Sequence, residues 1–469
     1  MSFALNPSPL FGLGNVGKSP NVCAQTRTNL YLEIQKDGEK NNLTMYPTPG
    51  LAAFVNFGAS PCRGIYQKDD FLYAVNGADL WRIANDGTST NVGTLLTTGG
   101  KVDITDNGTQ MLIVDGTYGY IYTFLTNVLA QITDVDFPPP MTCAFMNGRF
   151  LVGVTNSALF YISALYDGFT WNGLDFATAE SDPDNLIRIF VNEGQIVLLG
   201  DKTTEFWGDS GGVDFPFARV GASAIEWGLG AIWSLAKFQD SLIFLRKNRL
   251  GASQVCTLTG YTCTVVSNPE IDYIISQYGD VSNAVGFSYM ISGHPFYQIN
   301  FPSADASWLY DGLTGAWSKV QSGTGRHRGE LQRNFLNRSY VTDYENGLIY
   351  RFDQNVYTDN GETIIREWTS RHQMSADWSG FDELWIEMEG GVGLATGQGS
   401  NPQLMMQVCK DGGHEYGSEV WVPFGKIGEY RRRAAYRRLG RARDWLFRFR
   451  VTDPVYVVFV AAWGRYGKG

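Results

Sequence analysis

A chain of 469 residues and 52.1 kDa, 44% hydrophobic and 18% charged, is too apolar for a disordered polymer. Its longest apolar stretch, Val455 to Trp463, falls well short of the ~18 residues a membrane-crossing helix needs. The net charge of −10 is unevenly held: residues 426–450 carry ten Lys and Arg against two acids, a surplus of eight, so the remainder carries −18. One basic segment on an acidic body implies a specific contact for that segment rather than a general affinity for nucleic acid.

The first residues, MSFALNPSPLFGLG, lack a basic region followed by an apolar block, so no secretion signal is expected. Residues 1–25, rich in Gly, Pro, Asn and Ser, read as an extended arm. Residues 1–60 as a whole are expected to add strands to a C-terminal domain or to close a ring of repeats.

From residue 61 to 361 period-2 alternation dominates, punctuated by Asn-Gly and Asp-Gly turns. Phe71 to Val75 and Asp79 to Ile83 form the first hairpin, and Met111 to Val114 and Tyr120 to Phe124 the second. Arg149 to Val154 with Ala158 to Ile162, Gln195 to Leu199 with Thr204 to Trp207, and Ser241 to Leu245 with Ser253 to Cys256 follow. The sixth joins Phe296 to Phe301 with Ser307 to Tyr310, and the seventh Ser339 to Thr342 with Gly347 to Phe352. Hairpins at a loose ~40-residue period are the pattern of β-propeller blades, each of which buries its faces only against its neighbours. Because terminal units often complete one another, six or seven blades both fit. One helix is expected inside this region, where Ile271, Ile274, Ile275 and Tyr278 share a face behind Asn268-Pro269.

Beyond residue 362 strands lengthen, as in Glu383 to Glu389 and Leu404 to Cys409. In Trp445 to Val451, Trp445, Phe447, Phe449 and Val451 alternate with Arg448 and Arg450, the pattern of a half-buried strand with a cationic outer face. Residues 362–469 therefore read as a β-sandwich, and the fold class as all-β: a propeller plus a C-terminal sandwich.

No motif carries chemistry. Six cysteines without a CxxC are free thiols by default, although Cys256 and Cys263 flank a turn at Thr259-Gly260 and could meet across a hairpin. His294, His327, His372 and His414 show no metal-ligand spacing, so neither metal nor cofactor is expected. Tyr166 to Trp171 and Tyr310 to Trp317 resemble Asp-box turns, in which Asp and Gly shape the turn and Trp packs between strands. Nothing selects a pair of carboxylates for glycoside cleavage, and no GxSxG or Walker A motif occurs, so no catalytic residue is assigned. The basic segment could grip DNA phosphates, but its apolar partners at alternate positions tie it into a core and suit a fixed protein contact. Arg431, Arg432, Arg433, Arg437, Arg438, Arg441, Arg443, Arg448 and Arg450 are the candidate assembly interface.

Several blocks in order along the chain resemble the podovirus tail-hub, or packaged-DNA stabilisation, family. They are Asn29 to Glu33, Pro47 to Leu51, Arg63-Gly64, Thr204 to Trp207, Gly228 to Ala231, Ile271 to Tyr278, and the arginine-rich run from Tyr430 to Val451. The resemblance implies a non-enzymatic virion protein assembled in the host cytoplasm, six copies forming a ring below the portal and its adaptor. It would extend the DNA channel, retain the packaged genome and conduct it at ejection. The same resemblance implies contacts with a tail needle or plug, with fibres or tailspikes and transiently with DNA, and no membrane anchor. The contrasting expectation is a propeller that binds or cleaves glycans, which would require an aromatic-lined cleft with paired carboxylates.

Overall fold

A computed structural model describes residues 6–7, 10–35, 41–179, 184–212, 215–221, 224–248 and 251–467. Residues 1–5 and 8–9 of the expected arm lie outside the described residues.

Six separate sheets of four to six strands, together with a seventh four-stranded unit at Val285–Ile291, His294–Phe301, Ala306–Asp311 and Trp317–Ser322, stand around one axis. The first strands of successive units, from Cys62–Lys68 through Asp103–Asp106 to Gly329–Phe335, adjoin one another, and the last returns to the first. Seven apolar clusters lie between the units, one per neighbouring pair; the cluster of Val55, Ile65, Leu72, Phe335, Tyr340 and Ile349 joins the last to the first. The molecule is thus a β-propeller with seven blades, each pairing two of the expected strands in its interior. These middle strands are buried on both faces, as Leu72, Tyr73, Ala74 and Val75 show, and so read as near-continuous apolar runs.

Turn chemistry sets the hairpins. Asn147 and Gly148 both take left-handed angles, φ 49° and 77°, the type I′ geometry whose twist matches the flanking strands Pro140–Met146 and Arg149–Val154. Asp167 accepts from the Phe169 amide (2.9 Å) and the Thr170 hydroxyl (2.7 Å), while Trp171 packs between blades. Asp311 does the same with Leu313 and Thr314 beside the fully buried Trp317. Both Asp-box-like sequences are therefore turn-shaping. The one helix of nine residues, Pro269–Gln277, starts on Asn268, whose side chain accepts from the Ile271 amide at 2.8 Å; Ile271 and Ile275 seal the space between the fifth and sixth blades.

Ring closure uses the N-terminal region: Gly50–Asn56 lies antiparallel to Leu348–Asp353 as the outer strand of the last blade. Upstream of it, Leu30–Ile34 and Leu43–Pro47 pair with each other and adjoin Phe459–Gly467. That layer continues through Gln373–Met388 to Ala434–Arg437. It faces a second layer of Arg366–Thr369, Arg441–Val451, Gln403–Cys409 and Val420–Pro423. Between the layers lies the largest apolar cluster, in which Trp368 stacks on Phe449 at 4.6 Å and receives Phe11 edge-on at 4.9 Å. This is the β-sandwich. Arg27–Thr28 pairs with both Trp317–Ser322 of the sixth blade and Arg366–Thr369, so one sheet runs from propeller to sandwich.

Candidate assembly surface and the domain junction

The strand Arg441–Val451 alternates as its sequence predicts: Trp445, Phe447, Phe449 and Val451 are buried, and Arg448 and Arg450 face outward. The expected cationic outer face, however, is largely neutralised. Arg450 pairs with Glu367 at 2.7 Å and with Glu419 at 3.3 Å, and the Arg448 guanidinium lies 3.7 Å from the Tyr416 ring centre. Neighbouring strands supply these partners at distant sequence positions, which is why the sequence pattern alone overstated the free charge. Arg437 likewise donates to Glu383 at 2.8 Å, a carboxylate shared with Arg465 at 3.4 Å.

The six remaining candidates are exposed, and five of them fall into two groups. Arg431, Arg432 and Arg433 follow the strand Val420–Pro423 on a loop with exposed Ile427 and Tyr430. Arg432 stands 4.0 Å from Glu429, a marginal pair, and Arg433 lies 5.2 Å from the Trp385 ring centre. The second group surrounds Trp378, which is 55% exposed. Arg441 donates to the Trp378 carbonyl at 3.3 Å, and Arg443 lies 5.9 Å from its ring centre. Pairing between Gln373–Met388 and Arg441–Val451 breaks its register between Met374 and Ser379, so this segment bulges outward and carries Met374 and Trp378 into solvent. Arg438 takes φ 59° in the turn between two strands and has no carboxylate partner among the described residues. An exposed tryptophan beside two guanidiniums without carboxylate partners among the described residues is a combination also common at the centres of protein contacts.

Sequence reasoning missed the junction residues. Arg27 is buried and donates to the carbonyls of Gly12 (2.6 Å), Gly14 (3.2 Å), Leu13 (3.3 Å) and Trp317 (2.7 Å); burial pulls its pKa down to about 10. Asn29 donates to Gln321 and Ile365 carbonyls, both at 2.9 Å, and accepts from the Gln321 amide. The arm, the sixth blade and the sandwich are thereby tied at one point. A single arginine before Asn29 carries no sequence signal for this role.

Cys256 and Cys263 lie diagonally on adjacent strands as free thiols. Among the described residues no group of three His, Cys, Asp or Glu side chains is placed to hold a metal ion.

A propeller continuous with a sandwich defines a two-domain all-β protein. The chain belongs to the bacteriophage P22 Gp10 family of phage tail proteins: the model of its β-propeller matches residues 9–357 and that of its β-sandwich residues 368–463. No curated protein matches. Among solved structures the Neurospora crassa Pan2 WD40 domain is 9% identical, with a TM-score of 0.43 over 65% of this chain and 96% of that one. The extracellular domain of BT4673 from B. thetaiotaomicron is 11% identical, with a TM-score of 0.44 over 74% of this chain and 45% of that one. Both likenesses are too distant to bear on function. Membership of a structural tail family places the chain among virion components, and no helix among the described residues is long and apolar enough to cross a membrane.

Proposed function

We propose that the chain is the hub or nozzle subunit of a short phage tail, a non-catalytic protein that forms a ring, six copies in all, below the portal and its adaptor. In that place it extends the DNA channel, retains the packaged genome and lets it pass at ejection, with needle or plug and fibres or tailspikes attached around it. Family models matching both domains across nearly the whole chain carry this reading. Charge supports it: outside residues 426–450 the chain carries −18, and a ring of such bodies repels DNA phosphate and keeps the strand sliding. The unpaired arginines of the sandwich complement that acidity and suit the contact between neighbouring subunits or with the adaptor.

Reversing Arg431, Arg432 and Arg433 together to Glu tests the interface. All three are exposed, so the isolated chain should keep its melting profile. Cryo-electron microscopy with the portal–adaptor complex should show rings for the wild type and none for the variant. Wild-type occupancy by the variant would refute the interface.

A further inference from the structure

The propeller channel holds a cavity of about 600 Å³ that the assembly reading leaves unused. It is lined by the first strands of several blades, among them Gly64, Asp103, Arg188, Trp233, Lys237 and Arg333. Three cations therefore meet one carboxylate within the lining, a surplus of two positive charges inside a protein of net charge −10.

That carboxylate is already engaged. Asp103 accepts from the Cys143 amide at 3.1 Å with one oxygen and from Arg188 at 3.2 Å with the other. Arg188 has a side chain nine-tenths buried; it also donates to the Ile232 carbonyl at 2.9 Å and lies 5.0 Å from the Trp233 ring centre. Its Nε–H is buried and has no hydrogen-bond partner. Arg333, across the channel and open to its water, donates among the described residues only to the carbonyl of its own neighbour Gln332, at 3.0 Å. The channel walls pull its pKa below the ordinary arginine value; Asp103 opposes that shift and repulsion from Arg188 adds to it. Buried Arg188 and exposed Arg333 thus share one partly spent carboxylate on the lining of a single cavity, and their forked N–H donors match the oxygens of a small oxyanion.

We propose that the propeller channel is an oxyanion site in which Arg333 and Arg188, aided by Lys237, bind a small phosphate or carboxylate. The cavity admits a small anion, and about 600 Å³ is far too little for duplex DNA. The ligand links the fourth, fifth and last blades, whose inner strands supply Arg188, Lys237 and Arg333.

Isothermal titration calorimetry of the full chain, at fixed ionic strength, tests the site with inorganic phosphate in one arm and acetate in the other. The wild type should bind at one site per chain, and Arg333→Gln should weaken binding at least tenfold. Arg219→Gln, on the outer strand of the fourth blade, should bind as the wild type does. Arg333 faces the lumen and makes one bond to an adjacent carbonyl, so Arg333→Gln should fold; an unchanged circular dichroism melt without anion verifies this. Binding of phosphate alone would assign the site to phosphate, and of acetate alone to carboxylates. Absence of binding in both arms, or equal binding by wild type and Arg333→Gln, overturns the proposal.

Discussion

Arg27→Ala should release the N-terminal arm from the junction between propeller and sandwich. Four donated bonds, at 2.6, 2.7, 3.2 and 3.3 Å, disappear; the carbonyls of Gly12 and Trp317 lose their partner in a buried place and those of Gly14 and Leu13 in a partly buried one. At ~1.5–3 kcal/mol net for each bond from a charged donor, the gross loss is roughly 6–12 kcal/mol. The variant no longer buries a guanidinium, which returns several kcal/mol. The balance is a local destabilisation of about 4 kcal/mol. Since each 1.4 kcal/mol is a factor of ten, the open population of the arm should rise about a thousandfold. Limited trypsin digestion reads that population at exposed Lys18, which lies just beyond the clamped carbonyls. Cleavage after Lys18 should accelerate strongly at protease concentrations that leave the propeller intact. An acceleration below tenfold, with the calorimetric transition moved by less than a degree, would show that Arg27 is not a clamp.

Two further outcomes depend on buried titratable groups. His327 is fully enclosed, its Nδ1 accepts from the Gly329 amide at 3.0 Å, and burial drops its pKa to about 4. The unfolded chain binds this proton near pH 6.5 and the folded chain does not, so stability should fall as pH drops from about 6.5 to 4. The loss is at most about 3 kcal/mol at 1.36 kcal/mol per unit. In His327→Asn the melting temperature should depend less on pH across that window, and an unchanged slope would refute the assignment. Cys263 is held down to about 6 by its hydrogen bond with Cys256 and by Arg246, whose guanidinium lies 3.6 Å from its sulfur, while burial pushes Cys256 up. Iodoacetamide at pH 7 should therefore modify Cys263 ahead of the four buried cysteines. Mass spectrometry should find the reaction slowed several-fold in Arg246→Gln, and equal rates in the two proteins would exclude a stabilised thiolate.

Much of the architecture was legible because its causes are local. Short apolar runs such as Phe71 to Val75 and its six counterparts, and turns such as Asn147-Gly148, depend on residues a few positions apart, and each hairpin occupies the middle of one blade. The helix behind Asn268-Pro269 was legible for the same reason. Blade count was not. Closure depends on Gly50–Asn56 meeting Leu348–Asp353 some 300 residues later, and no short-range pattern encodes that register.

The arginine segment shows where composition stops being a guide to surface. Counting charge treats the nine arginines alike, yet the fold divides them by which strand lies beside each one. Arg448 and Arg450 sit on a strand flanked by Arg366–Thr369 and Gln403–Cys409, so Glu367 and the segment bearing Glu419 and Tyr416 reach them. Arg431 to Arg433, and Arg441 and Arg443, lie where the sheet ends or bulges, beside Trp385 and Trp378 and with one marginal carboxylate pair, Arg432 with Glu429 at 4.0 Å. An exposed ion pair contributes ~0–1 kcal/mol and gains little from a new partner, whereas an unpaired guanidinium against an exposed indole gains when a partner excludes water. In the proposed assembly the energetic weight of docking therefore falls on the loop and the bulge and not on the conspicuous alternating strand. The same rule extends to the channel, where exposed Arg333 has a single carboxylate, Asp103, on the lining it shares with Arg188 and Lys237.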